Sequence, residues 1–193
     1  MSATPRLPFK LAAALLVMVA LVACQSVPEG DTVAARRAYI DTWEQETLRM
    51  LYASHPEAQE LIEQAPGYLV ISQRVVKIPF LGGGGGYGVV NYRAQNRRRY
   101  IKVDRLDVGG GLGIRNLRVI VVLHDPKLVK NVGESHWSFH GSAEASAKSS
   151  ESATSGSQNK PSTGYTLYEL TDEGVSVTWT LYAIHFSSYS SLN

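Results

Sequence analysis

A glycine-rich stretch at residues 82–88 has the spacing of a nucleotide-binding loop. Gly83, Gly85 and Gly88 fit the pattern G-x-G-x-x-G, in which bare backbone can approach a pyrophosphate. That chemistry requires a strand before the glycines and a helix after them, but Pro79 precedes them and the β-forming residues 87–92 follow. The Gly-Lys-Ser/Thr sequence of a phosphate loop is also missing. We therefore predict that the glycines let strands cross closely or bend sharply, and that they hold no ligand themselves.

The histidines and serines give little support for metal binding or catalysis. His136 and His140 have the spacing of a helical metal pair, but the alternating aromatic residues between them indicate a strand. On a strand the two rings would lie about 13 Å apart, too far for one metal ion. There is no G-x-S-x-G elbow. We expect no metal, no cofactor and no enzymatic activity. The alternative is a catalytic carboxylate pair drawn from Asp104, Asp107 and Asp125.

The only thiol of the chain, Cys24, lies in a sequence that looks like a bacterial lipobox. An apolar run at residues 11–21, shorter than the ~18 residues of a spanning helix, ends in Leu21-Val22-Ala23-Cys24. In such signals the cysteine becomes the lipidated first residue, because diacylglycerol is attached through a thioether. The next residue is Gln25, not the Asp that retains lipoproteins at the inner membrane. We predict a signal peptide at residues 1–23 and a lipid-anchored envelope protein, at the outer membrane facing the periplasm. The alternative is a secretory peptide or uncleaved anchor with a chance cysteine.

Charge and composition bound the rest of the chain. Removing residues 1–23 takes away Arg6 and Lys10, so the net charge of +2 becomes 17 basic against 17 acidic residues. A neutral chain gives no reason to expect nucleic acid as a partner. Residues 24–31 are predicted to be a lipidated tether and residues 32–193 a single domain. Within it, the Ser-rich residues 142–164 predict a long flexible loop.

Two helices are predicted at the start of the domain. Asp31 or Thr32 can cap a helix that runs to about Ala53, and a second helix starts near Pro56 with Gly67 as its C-cap. The buried stripe of the first helix is Ile40, Trp43, Thr47 and Met50 or Leu51.

After the helices, hydrophobic alternation and turn residues predict β structure. Short strands at 68–71 and 75–78 precede a hairpin with arms at 87–92 and 100–106 and a tip at 93–99. Residues 109–113 are a second glycine bending point, which precedes a buried strand at 117–123. Helical turns at 126–131 and a strand at 137–141 follow. The chain ends with a last hairpin, whose arms lie at 165–170 and 175–186, and a frayed polar end. The predicted fold is α+β, a strongly bent antiparallel sheet or barrel with the N-terminal helices packed against it.

The order of these features resembles the SYLF domain, a lipid-associated module of bacterial envelope lipoproteins and some eukaryotic membrane-trafficking proteins. The matching stretches are residues 65–71 (APGYLVI), 77–88, 109–132, 137–143 (WSFHGSA) and 174–185, which with the helices cover roughly residues 33–186. Ser72 stands where bacterial members usually have proline, and residues 109–113 lack the glutamine usual there. The resemblance implies membrane or phospholipid association without catalysis.

Basic residues are the expected contacts to lipid headgroups. The hairpin tip carries three consecutive arginines, and two more lie near the first turn of the first helix, where the helix dipole disfavours cations. Each could gain about 1 kcal/mol from an anionic membrane surface; the alternative is a solvated, charged hairpin edge. Trp43 is a candidate for acyl contact, with a core position as the alternative. The lipid-binding candidates are therefore Arg36, Arg37, Trp43, Arg97, Arg98 and Arg99, with Cys24 as the lipidation site.

We expect a lipid-anchored, non-catalytic envelope protein whose SYLF-like domain binds phospholipid surfaces. The rival hypothesis is a structural or protein-interaction lipoprotein whose only membrane contact is the Cys24 anchor. The expected partner is a phospholipid membrane, reached through the anchor and through anionic headgroups, and the sequence identifies no protein partner.

Overall fold

The computed structural model describes residues 26–134, 137–143, 164–172 and 177–193. In these residues three helices and a six-stranded antiparallel sheet form an α+β fold. The N-terminal helices pack against a strongly bent sheet, which confirms the predicted fold class. The predicted lipidation site Cys24, His136 and most of the predicted Ser-rich loop lie outside the described residues.

Helix α1 spans Val33–Ser54 and begins where the sequence predicts. The hydroxyl of Thr32 caps it by accepting a hydrogen bond from the backbone N–H of Ala35 at 3.1 Å. One stripe of the helix faces the sheet and is buried. Its members are Ile40, Glu44, Thr47 and Leu51.

Helix α2 spans Glu57–Gln64 and follows Pro56, as predicted. It ends at Ala65 and not at the predicted cap Gly67, because Gly67 is already the first residue of a strand. In the described part of the chain, no helix is long and apolar enough to cross a membrane.

One long strand organises the sheet. Strands β1 (Gly67–Ile78) and β2 (Phe80–Tyr92) form a hairpin, and β3 (Arg97–Leu123) follows a single 3-10 turn at Arg93–Gln95. The first half of β3 pairs with β2 and its second half pairs with β1. All three pairings are antiparallel, so the two halves of β3 run in opposite directions. The strand therefore folds back over the tip of the β1–β2 hairpin.

The corner of β3 is made by the second glycine cluster. Gly109, Gly111 and Gly113 have φ angles of +138°, +148° and +141°, a region that side chains strongly disfavour. Gly109 is the last residue that pairs with β2, Gly113 is the first that pairs with β1, and Gly111 lies between them. The predicted bend at residues 109–113 is therefore confirmed.

The first glycine cluster acts differently, because it lies in the middle of β2 with ordinary extended backbone. A Cβ atom at Gly86 would overlap the carbonyl oxygen of Ser72 on β1, and one at Gly88 would lie 2.5 Å from the carbonyl oxygen of Val70. The glycines thus allow a close approach of two strands, as one branch of the prediction states. The predicted strands at 68–71 and 75–78 are one strand, β1. The glycines belong to β2, which contains the predicted strand at 87–92 and forms a hairpin with β1.

The last strands wrap around β3. Strand β5 (Tyr165–Asp172) pairs with the second half of β3, and β6 (Val177–Ser188) pairs with its first half. The prediction that these two segments form a hairpin is wrong, because both take β3 as their partner and lie end to end along it. Strand β4 (Trp137–Ala143) pairs with β6, and helix α3 (Pro126–Glu134) precedes it.

The two faces of the sheet carry separate hydrophobic cores. The outer face packs against α1 and α2 through residues such as Val70, Tyr87 and Ile120. The inner face carries Leu69, Val103, Val119 and Phe186, and α3 adds Val129 and Val132 to it. The C-terminus is not frayed as predicted: Leu192 is buried in the outer core, and the Asn193 side chain bonds the backbone of Tyr100.

Candidate functional site

Four of the sequence-predicted arginines come together where β3 begins. They line a shallow, open pocket of about 350 Å³ between α1, the start of β3 and the C-terminus. The residues of this arginine pocket are Arg37, Arg97, Arg98, Arg99, Tyr100, Leu192 and Asn193.

Arg98 is held by two carboxylates of α1. Its Nη2 bonds the buried carboxylate of Glu44 and lies 2.9 Å from Oδ1 of Asp41. The amide of Asn91 donates to the same Glu44 carboxylate at 2.6 Å. Burial raises the pKa of Glu44, although Arg98 and Asn91 both act to lower it. The positive charge of Arg98 is therefore largely neutralised by the two carboxylates of α1.

Two further arginines of the pocket are also fixed by the protein. Arg37 Nε donates to the carbonyl oxygen of Leu192 at 2.7 Å, and its guanidinium lies 5.7 Å from the ring centroid of Tyr100. The guanidinium of Arg97 stacks 4.3 Å from the ring centroid of Tyr92. The pocket is thus a positively charged surface, and three of its four arginines are held in place by contacts with the rest of the protein.

The other two lipid-binding candidates lie outside the pocket. Arg36 Nε donates to the carbonyl oxygen of Gly30 at 2.8 Å and so fastens the N-terminal segment to α1. Trp43 is half-buried against the sheet, with its ring 6.1 Å from that of Tyr87 and the guanidinium of Arg118 5.2 Å above it.

Sequence reasoning missed an exposed apolar surface at the opposite end of the hairpin. Seven large apolar side chains lie around the β1–β2 turn and the corner of β3, each about half exposed or more. In β3 they occupy even-numbered positions, so they continue the outer face of the sheet beyond the row of Tyr87, where α1 makes ring contacts. The members of this tip patch are Ile78, Phe80, Leu81, Leu106, Val108, Leu112 and Ile114.

Phe80 is the most exposed member of the tip patch, at 74 %. Its φ angle of +74° places a bulky side chain in the left-handed region, which costs of order 1–3 kcal/mol. An exposed ring returns none of that cost through burial. The protein therefore maintains a strained backbone that presents an aromatic side chain to its surroundings.

The tip patch forms one continuous surface. Leu81 pairs with both Ile78 on β1 and Val108 on β3, so the three side chains lie side by side. Monomeric proteins rarely expose an apolar patch larger than a few hundred Å², and larger ones mark sites of protein or membrane contact. The alternation of Leu106, Val108, Leu112 and Ile114 is visible in the sequence, but whether a helix covers it is not.

The N-terminal segment lies between the two candidate surfaces. The Ser26 hydroxyl donates to the carbonyl oxygen of Gly85 at 3.0 Å, in the middle of β2. Along the strand, Gly85 is about 16 Å from Phe80 and about 20 Å from Asn91, which pairs with Arg98. The tip patch and the arginine pocket are thus roughly 35 Å apart along β2.

Comparison of this chain with protein-family models and with curated proteins finds no match. Among the residues that the structure describes, no three His, Cys, Asp or Glu side chains come together to hold a metal ion.

Proposed function

We propose that this protein is a lipid-anchored, non-catalytic component of a bacterial cell envelope, whose SYLF-like domain binds phospholipid membranes. The exposed tip patch is the observation that carries this proposal. Apolar side chains that are exposed in the free protein gain free energy when they enter the interface of a bilayer. The expected anchor is Cys24, and the expected location is the outer membrane facing the periplasm.

The size of the patch suits reversible membrane contact. Complete burial of a Phe or Leu side chain contributes about 1.5–3 kcal/mol. Phe80 and Leu112 are 74 % and 62 % exposed, so each would contribute roughly 1–2 kcal/mol on insertion. The diacylglycerol at Cys24 would anchor the protein by itself, and a few such residues would bring the domain into direct contact with the bilayer.

The internal partners of the pocket arginines favour the tip patch over the arginine pocket as the first contact. Cys24 lies two residues before Ser26, which is bonded near the middle of β2 and on the tip side of it. A bilayer that holds the anchor can therefore also reach the tip patch. The pocket, at the far end of the hairpin, would bind headgroups in a second orientation, and two of its arginines, Arg37 and Arg98, already have internal partners.

The test is co-sedimentation of residues 25–193 with vesicles of phosphatidylcholine, with and without phosphatidylglycerol. This segment contains every helix and strand of the described fold. Phe80→Asn removes the ring but keeps a residue that tolerates the left-handed region, and Leu112→Ser removes a second apolar side chain. We expect each change to weaken vesicle binding roughly five- to thirtyfold. Met50→Ser, at an exposed apolar position on α1, is the matched control and should bind like the unchanged protein.

A second pair of variants examines the arginine pocket. If the pocket binds headgroups, Arg97→Glu with Arg99→Glu weakens binding only to vesicles that contain phosphatidylglycerol, and the weakening is lost at high salt. If residues 25–193 bind neither type of vesicle at low salt, the proposal fails and the Cys24 anchor stands as the only membrane contact.

A further inference from the structure

We propose that the inner face of the sheet contains a buried binding site for a phosphate-type anion, supplied either as free phosphate or as a lipid headgroup. The site lies behind the tip patch, on the opposite face of the same strands. Its residues, the polar cluster below, are Gln73, Lys77, Arg105, Asp107 and Arg115. This site goes beyond the proposed membrane contact and does not depend on it.

Four members of the cluster are almost completely buried. Gln73, Lys77, Arg105 and Asp107 are between 0 and 4 % exposed, while Arg115 is half-buried and connects the group to solvent. Charged side chains are seldom buried to this degree unless they are paired or bind something.

The glycines of β2 make room for these side chains. In the sheet Gly82 lies between Lys77 on β1 and Asp107 on β3, and Gly84 lies between Val75 and Arg105. A Cβ atom at Gly82 would lie 3.0 Å from Cδ of Lys77 and 3.1 Å from Cβ of Asp107. The glycines of β2 therefore leave space on the inner face, and polar side chains from both neighbouring strands occupy it.

Only part of the cluster is satisfied by the protein. Arg105 Nε donates to Oδ1 of Asp107 at 2.7 Å, and its Nη1 donates to Oε1 of Gln73 at 3.3 Å. These contacts satisfy the only carboxylate of the cluster and the amide oxygen of Gln73.

Three buried nitrogen atoms have no hydrogen-bond partner among the residues that the structure describes. They are Nε2 of Gln73, Nζ of Lys77 and Nη2 of Arg115. All three are donors, so what they lack is an acceptor. The cluster contains three cations and one carboxylate, and the carboxylate of Glu169 on β5 also acts on Arg115, so positive charge exceeds negative charge by one. A tetrahedral oxyanion supplies several acceptor oxygens and negative charge at once, and it is the ligand class that matches both deficits.

The electrostatics of the polar cluster agree with this geometry. Burial lowers the pKa of Lys77; Asp107 opposes this effect, while Arg115 and Arg105 add to it. Burial and Arg105 likewise lower the pKa of Arg115, while Glu169 and Asp107 oppose this effect. A bound anion would relieve the repulsion among these cations.

The test uses residues 25–193 and two probes, sodium phosphate and a short-chain phosphatidic acid kept below its micelle concentration. Calorimetric titration measures affinity, and thermal unfolding with sodium chloride at matched ionic strength measures the linked stabilisation. Lys77→Met and Arg115→Met each remove one of the unpartnered donors. Arg74→Met, which removes an exposed cation on the outer face of the same strand, is the matched control.

We expect saturable binding, a Tm that rises with phosphate and not with chloride, and affinity at least tenfold weaker in Lys77→Met and Arg115→Met than in Arg74→Met. Binding of phosphate alone identifies the free anion as sufficient, whereas binding of phosphatidic acid only assigns the site to a headgroup. If neither probe binds, or if the Lys77 and Arg115 variants bind like the control, the site does not exist. If those variants do not fold, the phosphate-dependent Tm of the unchanged protein decides. Vesicle binding that depends on Phe80 is measured separately, so either proposal can fail without the other.

Discussion

The close approach of β1 and β2 predicts that Gly86→Ala is severely destabilising. The added Cβ would overlap the carbonyl oxygen of Ser72, lie 2.8 Å from its carbonyl carbon and 3.0 Å from Cα of Gln73. All of these are backbone atoms of β1, which is paired on both of its sides, with β2 and with β3. No flexible side chain can therefore move away to make room.

The size of the destabilisation by Gly86→Ala can be estimated from the contacts that must change. Overpacking typically costs about 1–3 kcal/mol even where side chains can adjust. Separating β1 from β2 at this point would also weaken about two ladder hydrogen bonds, at roughly 1 kcal/mol each. We expect a total loss of about 3–5 kcal/mol from the free energy of unfolding.

Gly110→Ala is the matched control, since it makes the same chemical change in the other glycine cluster. A Cβ at Gly110 meets nothing within 4 Å, and its φ lies outside the left-handed region that Gly109 and Gly111 adopt. The control should be neutral, or stabilise by up to about 1 kcal/mol through reduced freedom of the unfolded chain.

Urea unfolding of residues 25–193, followed by circular dichroism, measures both effects. With a denaturant dependence of about 2 kcal/mol per molar urea, Gly86→Ala should lower the midpoint by roughly 1.5–2.5 M. Equal midpoints for the Gly86 and Gly110 variants would refute the conclusion that the glycines of β2 exist for close strand approach.

Two further predictions concern the ionisation of α1 and the lipid anchor. Burial raises the folded-state pKa of Glu44 above its ordinary value of 4.5, so the folded carboxyl binds its proton more tightly than the unfolded one. The free energy of unfolding therefore falls as pH rises from about 4.5 through the folded pKa. Glu44→Gln should remove that fall in pH-dependent urea unfolding, and Arg98→Met should raise the Glu44 midpoint in an NMR titration; an unchanged midpoint would contradict the ion pair. In the full chain, Cys24→Ser should abolish incorporation of labelled palmitate and release or mis-sort the protein, and a variant that is still labelled would disprove the lipobox assignment.

Local features of this fold could be predicted from the sequence because they depend on near neighbours in the chain. The Thr32 cap, the helix after Pro56 and the corner at residues 109–113 all follow from short-range preferences of particular residue types. The arginines at 97–99 were expected at a turn and lie just after one. The α+β class followed from the same signals.

The partners of each strand could not be predicted, because they depend on contacts between distant residues. Nothing local indicates that β3 pairs with both β1 and β2, or that β5 and β6 both pair with β3. The tip patch depends on where α1 makes its contacts, and the polar cluster depends on three strands meeting at Gly82. Lys77, Arg105 and Arg115 are ordinary surface residues by composition, and only the fold places them inside.

The way β3 folds over the hairpin also protects the sheet against a shift in strand register. Glycine-rich strands carry little side-chain information and tend to slip relative to their neighbours. Here β2 pairs with β1 on one side and with the first half of β3 on the other, and β3 also pairs with β1. A shift of β2 by one residue would have to be matched on both of its sides at once. The informative sequences of β1 and β3 thus correct for the uninformative one between them, which allows the protein to use a nearly bare strand where bulkier residues would fill the interior.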